Sequence, residues 1–284
     1  MAHTNEAEEV LTPVAPSVPL FAGPIVALQQ IIEQKFLVWT LVQRTLRNRY
    51  RSAGLGYIWM VLEPTLLAAT YWFLFVMLAG NSDELYPIWV LIGVIVWGCF
   101  GKSLTGSVSS LSSQSQMIHM AYFPRIVFPV STTLGHIVSA LGSALVLIPV
   151  ILVFNTPITH HLLWVPVGIV LAGILGGSIG TLFAPLNCQR RDVEHLSRFI
   201  VRAGFFFSPI MWTAEMAMSR GRMGEAALWN PMTTPITMVR HAVSGKALEL
   251  PIGSIQFFVV FFLLMLVLGT MIFMKFERKA VKFL

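Results

Sequence analysis

The stretch GYIWMVLEPTLLAATYWFLFVML, residues 56–78, decides the fold class of this chain. It runs for 23 residues with Glu63 as its only charged side chain. A helix needs about 20 mostly apolar residues to cross the hydrocarbon core of a bilayer. Residues 56–78 therefore predict a transmembrane helix.

Five further stretches have the same character, although Lys102 interrupts one of them and Arg198 with Arg202 stands at the start of another. Of all 284 residues, 56% are hydrophobic and only 11% are charged, which leaves too little polar surface for a water-soluble globule. The sequence predicts an all-α integral membrane protein with six transmembrane helices. The predicted spans are Gly56–Leu78, Ile88–Leu104, Val127–Phe154, Leu162–Ala184, Ser197–Trp212 and Ile252–Phe276.

The distribution of Lys and Arg predicts the topology, because short basic loops stay on the cytoplasmic side of a membrane. Fifteen of the nineteen basic residues lie before the first span, at the second and fourth connections, or at the end of the chain. The first and third connections, around 81–86 and 155–161, hold none. Both termini are therefore predicted to be cytoplasmic. This topology also accounts for the isoelectric point of about 9.6, so we expect no nucleic-acid partner.

Two segments precede the six-helix transmembrane domain, which is assigned to residues 53–284. Residues 1–24 are rich in Glu and Pro and predict a disordered cytoplasmic tail. Residues 25–52 carry apolar side chains, including Phe36 and Trp39, at every third or fourth position. This periodicity predicts an amphipathic helix that lies in the interfacial plane of the inner leaflet. Periodicity alone leaves open whether the helix belongs to the substrate path or only anchors the chain.

Two strips of small residues predict close helix packing, because small side chains let helix backbones approach one another in lipid. The contact could lie within the chain or against a second copy. The strips are Gly173, Gly176, Gly177 and Gly180 in the fourth span and Gly135, Ser139 and Ser143 in the third.

The sequence carries no pattern that predicts catalysis. Gly101-Lys102-Ser103 is the nearest segment to a phosphate-binding loop, but Val96 stands where the first glycine of that motif should be. Glu63 is the only acid within a predicted span, where a carboxylate marks either a substrate contact or a pairing with an arginine near the headgroups. We expect no catalytic residue, no metal site and no cofactor in this chain.

Three groups of segments carry a family resemblance that covers most of the chain. They are Arg49-Tyr50 with Leu55-Gly56-Tyr57-Ile58-Trp59 and Leu62-Glu63-Pro64; Tyr122-Phe123-Pro124-Arg125 with Pro129; and Arg191-Asp192-Val193 with Ser208-Pro209, Trp229-Asn230-Pro231 and Arg240. Together they resemble the membrane subunits of type-2 ABC exporters, which move O-antigen, capsule or teichoic-acid polymers.

This resemblance implies a transport permease rather than an enzyme. The chain would form a homodimer in the bacterial plasma (inner) membrane and enclose a path for a lipid-linked polysaccharide. Two copies of a separate ATP-binding subunit, which holds the ATP and Mg, would drive transport. The connection from about Thr213 to Pro251 would hold short re-entrant helices at the outer face.

The resemblance also assigns roles to three short sets of residues. The sets are an ATPase-coupling segment (Gln116, Met117, His119, Tyr122, Phe123, Pro124 and Arg125), a cytoplasmic loop (Arg190, Arg191 and Asp192) and an outer connection (Asn230, Pro231 and Arg240). Within the coupling segment, Tyr122 and Phe123 could instead mark an aromatic belt at the membrane surface.

Two further sets are candidates for substrate contact. Aromatic rings stack on the apolar faces of sugars, and the path candidates are Tyr57, Trp59, Glu63, Tyr71, Trp72 and Phe75. Guanidinium groups suit phosphate oxygens, and the candidates for recruiting the lipid pyrophosphate are Arg44, Arg47, Arg49 and Arg51. These arginines could also do no more than obey the positive-inside rule.

Three other classes of membrane protein compete with this interpretation. A type-2 ABC exporter of a small molecule or lipid would share the spans and the coupling segment, and it is the main alternative. A secondary transporter would have Glu63 as its only ion-carrying candidate within the spans. A membrane-embedded transferase would need convergent acids or histidines, which the sequence does not offer.

Overall fold

The computed structural model describes residues 19–51, 54–79, 85–120, 123–245, 248 and 250–283, and within them every regular element is helical. Short 3-10 turns join several of the helices. In chain order the α-helices are α1 (Gly23–Glu33), α2 (Lys35–Tyr50), α3 (Trp59–Ala79), α4 (Tyr86–Val108), α5 (Ser115–Met120), α6 (Val127–Ala144), α7 (Leu147–Val153), α8 (Trp164–Gln189), α9 (Asp192–Phe207), α10 (Ala214–Met218), α11 (Arg222–Leu228), α12 (Thr233–Ser244) and α13 (Ile252–Val281).

Four helical stretches among the described residues are long and apolar enough to cross a membrane: Tyr86–Val108, Val127–Val153, His160–Gln189 and Ile252–Ala280. They match the predicted second, third, fourth and sixth spans. A fifth is counted if α1 and α2, which meet at an angle of 76°, form one broken span. The predicted first and fifth spans correspond to α3, with 21 residues, and α9, with 16 residues.

The N-terminal segment differs from the single amphipathic helix of the sequence prediction, because it bends by 76° between α1 and α2. No proline or glycine causes the bend, which lies at Gln34. The two helices have different partners: α1 packs along α13, whereas α2 packs against α6. A straight helix could not reach both.

The predicted third span also contains a break. It divides into α6 and α7 at Leu145 and Val146. Pro149 lies in the first turn of α7, where its ring removes a backbone N–H and crowds the carbonyl group of Leu145. The proline therefore explains why one apolar run of 27 residues forms two helices.

The helix α4 is the centre of the fold and packs most closely against α8. A Cβ atom on Gly176 would lie 2.2 Å from the carbonyl oxygen of Phe100, and one on Gly180 would lie 2.4 Å from that of Leu104. Gly176 and Gly180 of the fourth-span strip therefore lie against the backbone of α4, whereas Gly173 and Gly177 face Ile137 and Thr133 of α6. The predicted close packing of the strip is realised within the chain.

The bundle has two ends, which hold different connections. The proximal face, as we call it, contains the connection 109–126, the turn between α8 and α9, and the last turns of α13. Val42 of α2, Leu111, Ile126 and Phe273 of α13 share one buried apolar cluster there. The distal face contains α10, α11 and α12 and the connection around residue 156.

Filling the seam between α4 and α8 should destabilise the protein. We expect Gly176→Ala to lower the free energy of unfolding by about 1–3 kcal/mol, because the added methyl group meets backbone atoms that cannot rotate away. Gly98→Ala on α4 is the matched control, since a Cβ atom there meets nothing within 4 Å. Thermal unfolding in mild detergent measures the difference, and equal midpoints for the two variants would contradict this packing.

Candidate functional site

A cluster of opposite charges lies where α2, α3 and α4 meet. The Lys102 ammonium donates a hydrogen bond to Glu63 Oε1 at 2.9 Å. The Arg49 guanidinium lies 3.7 Å from Glu63 Oε2 and 5.7 Å from the centre of the Tyr50 ring. One carboxylate therefore faces two cations. The Glu63–Arg49 contact is the pairing that the sequence offered as an alternative to substrate contact.

A cavity of about 90 Å³ adjoins this charge cluster. Its walls include Glu63, Lys102 and His136, and its lining continues through hydroxyl groups of α6. The buried Tyr50 hydroxyl lies 2.5 Å from Ser139 Oγ. A space of this size with several polar groups in its wall can hold ordered water. The sequence identified Glu63, but it had considered Lys102 only as an interruption of a span and as part of a rejected phosphate-loop match, and it had not singled out His136.

The four arginines predicted to recruit pyrophosphate differ in their position on the helix and in their partners. Arg44, Arg47 and Arg51 are three or four residues apart, which places them on one side of the helix, and all three are exposed. Arg49 lies off that side and is occupied by Glu63. Arg44 Nη1 also lies 3.1 Å from the sulfur of Met117, which links α2 to α5.

The aromatic path candidates differ in exposure. Tyr57, Trp59 and Trp72 are exposed. Tyr71 is half-buried because its ring packs on Phe205 of α9, with 4.9 Å between the ring centres. Through this ring contact α3 touches α9. The side chain of Phe75 lies outside what the structure describes.

The predicted coupling segment lies on the proximal face. Gln116 is exposed, whereas Phe123, Pro124 and Arg125 are half-buried, and the ring of Phe123 packs on Phe128 with 5.6 Å between their centres. The predicted roles of Tyr122 and of the His119 side chain fall outside the described residues. The exposed Gln116 is thus followed by apolar residues of the same segment that pack into the protein.

Asn187, which the sequence analysis did not identify, connects Ser112, four residues before the coupling segment, to the first turn of α9. Its amide nitrogen donates to Ser112 Oγ at 3.4 Å, and its amide oxygen accepts a hydrogen bond from the backbone N–H of Glu194 at 3.1 Å. The side chain is almost completely buried. The only available signal was an asparagine at the end of an apolar span. Next to it, Arg190, Arg191 and Asp192 are exposed.

On the distal face, Arg240 holds the backbone that follows α9. Its buried guanidinium donates to the carbonyl oxygens of Ile210 at 2.9 Å, Trp212 at 3.0 Å and Trp89 at 3.0 Å. Burial lowers the pKa of Arg240 to about 10, so the group keeps its charge at neutral pH. The bonds to Ile210 and Trp212 satisfy carbonyl groups of non-helical backbone.

Asn230 binds the same stretch of backbone at the end of α9. Its amide nitrogen donates to the carbonyl oxygen of Phe207 at 3.2 Å and to Ser208 Oγ at 3.1 Å, while its oxygen accepts from the backbone N–H of Met232 at 2.8 Å. Pro231 stands between these contacts and the start of α12. Asn230 and Arg240, which the sequence grouped in one outer connection, thus both bind the end of α9.

The fold and the site together define a helical membrane protein with a charged internal cluster and a polar segment on one face. A family model described as ABC-2 type transporter matches residues 36–244, and the chain belongs to that family. This membership confirms the resemblance carried by the sequence segments.

Curated relatives match most of the chain. It is 27% identical over 248 residues to the O-antigen export system permease protein RfbA of Klebsiella pneumoniae, which covers 86% of this chain and 93% of that protein. It is 23% identical over 210 residues to the protein of the same name from Myxococcus xanthus, with 74% and 81% covered. It is 24% identical over 247 residues to the polysialic acid transport protein KpsM of Escherichia coli, with 83% and 92% covered.

Removing the Arg240 guanidinium should loosen the distal face. We expect Arg240→Met to destabilise the protein by several kcal/mol, because each buried carbonyl group left without a donor costs about 1–3 kcal/mol. Arg220→Met, at an exposed position of the same connection, is the control. Limited proteolysis between α9 and α12 and thermal unfolding in detergent measure the effect. Equal resistance of the two variants would show that the guanidinium is dispensable.

Proposed function

We propose that this chain is the membrane permease of an ATP-driven exporter that moves a lipid-linked polysaccharide from the cytoplasm across the bacterial inner membrane. The observation that carries the proposal is the match, over most of both chains, to permease proteins named for O-antigen export. The internal charge cluster and the exposed aromatic side chains of α3 suit a path for a sugar polymer.

In this proposal α3 and α9 join the four long apolar stretches to make six transmembrane spans. The proximal face is cytoplasmic, because it carries Arg44, Arg47 and Arg51 and the arginines of the α8–α9 turn. Both ends of the chain then lie in the cytoplasm. The short helices α10, α11 and α12 lie at the outer face as re-entrant elements.

The ATP-binding subunit is a separate protein and docks on the proximal face. The polar segment around Gln116 and the exposed Arg190 and Arg191 offer it hydrogen-bonding groups and positive charge. Asn187 forms hydrogen bonds with Ser112, which precedes the first of these parts, and with the backbone of Glu194, which follows the second. ATP and Mg are held by that partner, of which two copies serve two copies of this chain.

The homodimer forms along α3 and α9. Both helices leave wide faces uncovered, including Trp72 and Phe73 on α3 and Ile200 and Phe207 on α9. The two helices touch where the ring of Tyr71 packs on Phe205. Two copies that face each other along these helices enclose the polysaccharide path between them.

Deletion of this chain tests the proposed function. Surface polysaccharide should disappear, and its lipid-linked form should accumulate inside the cell, as measured by immunoblotting of whole cells and of isolated lipids. Unchanged surface polysaccharide together with loss of drug efflux would instead favour an exporter of small molecules.

Charge removal at the exposed arginines of α2 should impair substrate entry. We expect Arg47→Gln with Arg51→Gln to reduce export about tenfold or more, since a hydrogen bond to a charged group contributes about 1.5–3 kcal/mol. Arg220→Gln with Arg222→Gln removes the same charge at exposed distal positions and serves as the control. The assay is surface polysaccharide in cells with equal amounts of assembled complex, and normal export in the α2 variant would contradict the role.

Cutting the link through Asn187 should separate ATP hydrolysis from transport. Ser112→Ala removes one of the two hydrogen bonds of Asn187 and keeps the other, whereas Asn187→Leu removes both. We expect export to fall modestly in the first variant and several-fold in the second, while ATPase activity in the purified complex changes little. The exposed Ser113→Ala is the control. Parallel loss of hydrolysis and export would argue against a linking role.

A further inference from the structure

The helix α9 carries a line of charges on one side. Glu194, Arg198 and Arg202 follow one another at intervals of four residues, which places them one above another along the helix. Arg198 forms an ion pair with Glu194. Arg202 is exposed and has no ion pair or hydrogen bond with any residue that the structure describes.

Contacts between α9 and α4 set the depth of Arg202. A Cβ atom on Gly101 would lie 2.6 Å from Val201 Cγ1, so Val201 packs against the residue next to Lys102. Gly204 lies against the ring of Trp97. Arg202 therefore lies at the same depth as the Lys102–Glu63 pair. It is ten residues, or about 15 Å at 1.5 Å per residue, along the helix from Asp192.

The surroundings of Arg202 combine charge with bare apolar surface. Phe199 and Phe206, on either side of it along α9, are 65% and 68% exposed. Lipid tails cannot solvate a guanidinium group, so arginines at membrane depth face a water-filled path or an anion. A surface with phenyl rings beside a free guanidinium suits an amphiphile that has an anionic head and an apolar tail.

A second copy of the chain offers no obvious carboxylate for Arg202. Among the described acids of α3 and α13, Glu63 is taken by Lys102 and Arg49, and Glu277 is half-buried near Arg125. On α9 the exposed Asp192 lies about 15 Å along the helix from Arg202. Glu194 already pairs with Arg198. No acid that the structure describes in these helices is placed to pair with Arg202, which favours an anion from outside the permease.

We propose that Arg202, assisted by Arg198, binds the phosphate groups of the lipid-linked polysaccharide at the level of the Lys102–Glu63 pair. This inference rests on the proposed function and adds a second phosphate contact beyond Arg47 and Arg51. The guanidinium fork can donate two parallel hydrogen bonds to phosphate oxygens. The phenyl rings of Phe199 and Phe206 cover the adjoining carbons of the lipid tail.

Binding of a simple probe to the purified complex of this chain and its ATPase partner tests the inference. Geranylgeranyl pyrophosphate is compared with geranylgeraniol, which has the same tail and no charge. We expect Arg202→Gln to weaken pyrophosphate binding about ten- to a hundredfold, Arg202→Lys to weaken it less, and neither to change binding of the alcohol. Arg222→Gln is the control, because Arg222 is exposed on the distal face. Wild-type pyrophosphate affinity in Arg202→Gln overturns the inference.

Two other results would overturn it in favour of a different occupant. If Arg202→Gln separates the complex into single permease copies in native mass spectrometry, Arg202 is an interface residue. If an oligosaccharide with acidic sugars protects Arg202→Cys from thiol labelling while the pyrophosphate does not, the ligand is the glycan itself.

Failure of this inference is distinguishable from failure of the proposed function. If deletion of the chain leaves surface polysaccharide unchanged, the proposed function is wrong. If deletion abolishes it while Arg202→Gln supports wild-type export and probe binding, only the assignment of Arg202 is wrong.

Discussion

The architecture depends on direct contact between the backbones of α4 and α8. Lipid tails are as apolar as the side chains of these helices, so the hydrophobic effect gives them no reason to associate. What remains is dispersion attraction, and this becomes strong only where Gly176 and Gly180 let α8 touch the carbonyl groups of α4. The other helices are placed around this pair. The helix α9 packs on α4 beside Gly101, and α13 reaches α8 through Gly269, whose Cβ position lies 2.5 Å from the carbonyl oxygen of Ser178.

Polar groups then decide which parts of this apolar frame are fixed. Arg240 and Asn230 bind the backbone after α9 at the distal face, and Asn187 binds the start of the same helix at the proximal face. The helix is thus held at both ends by side chains from other elements. Its middle exposes Arg202 and aromatic rings. A helix that is anchored at its ends and exposed between them is well suited to border a path.

Much of this could be predicted from the sequence, because the strongest signals were physical ones. Long apolar runs predicted the helices, and the glycine strip predicted close packing of α8 without naming α4 as its partner. The bend at Gln34 carried no local signal, since it follows from the different partners of α1 and α2. The pairing of Glu63 with an arginine was foreseen, but its stronger contact with Lys102 joins residues 39 positions apart. The partners of Arg240 are backbone carbonyl groups, which every residue has, so the sequence could not indicate this contact.

The contact of α1 with α13 also constrains how the molecule is made. Gly23 approaches the backbone of Met271, so a Cβ atom there would lie 3.0 Å from Met271 Cα. The ribosome completes the first helix long before the last one exists. During synthesis α1 therefore waits at the membrane without its partner, and the chain closes on itself only when its final helix has been inserted. Although α1 is synthesised well before α13, it reaches this native contact only after α13 has been inserted. The contact between α1 and α13 therefore forms late in the biogenesis of the protein.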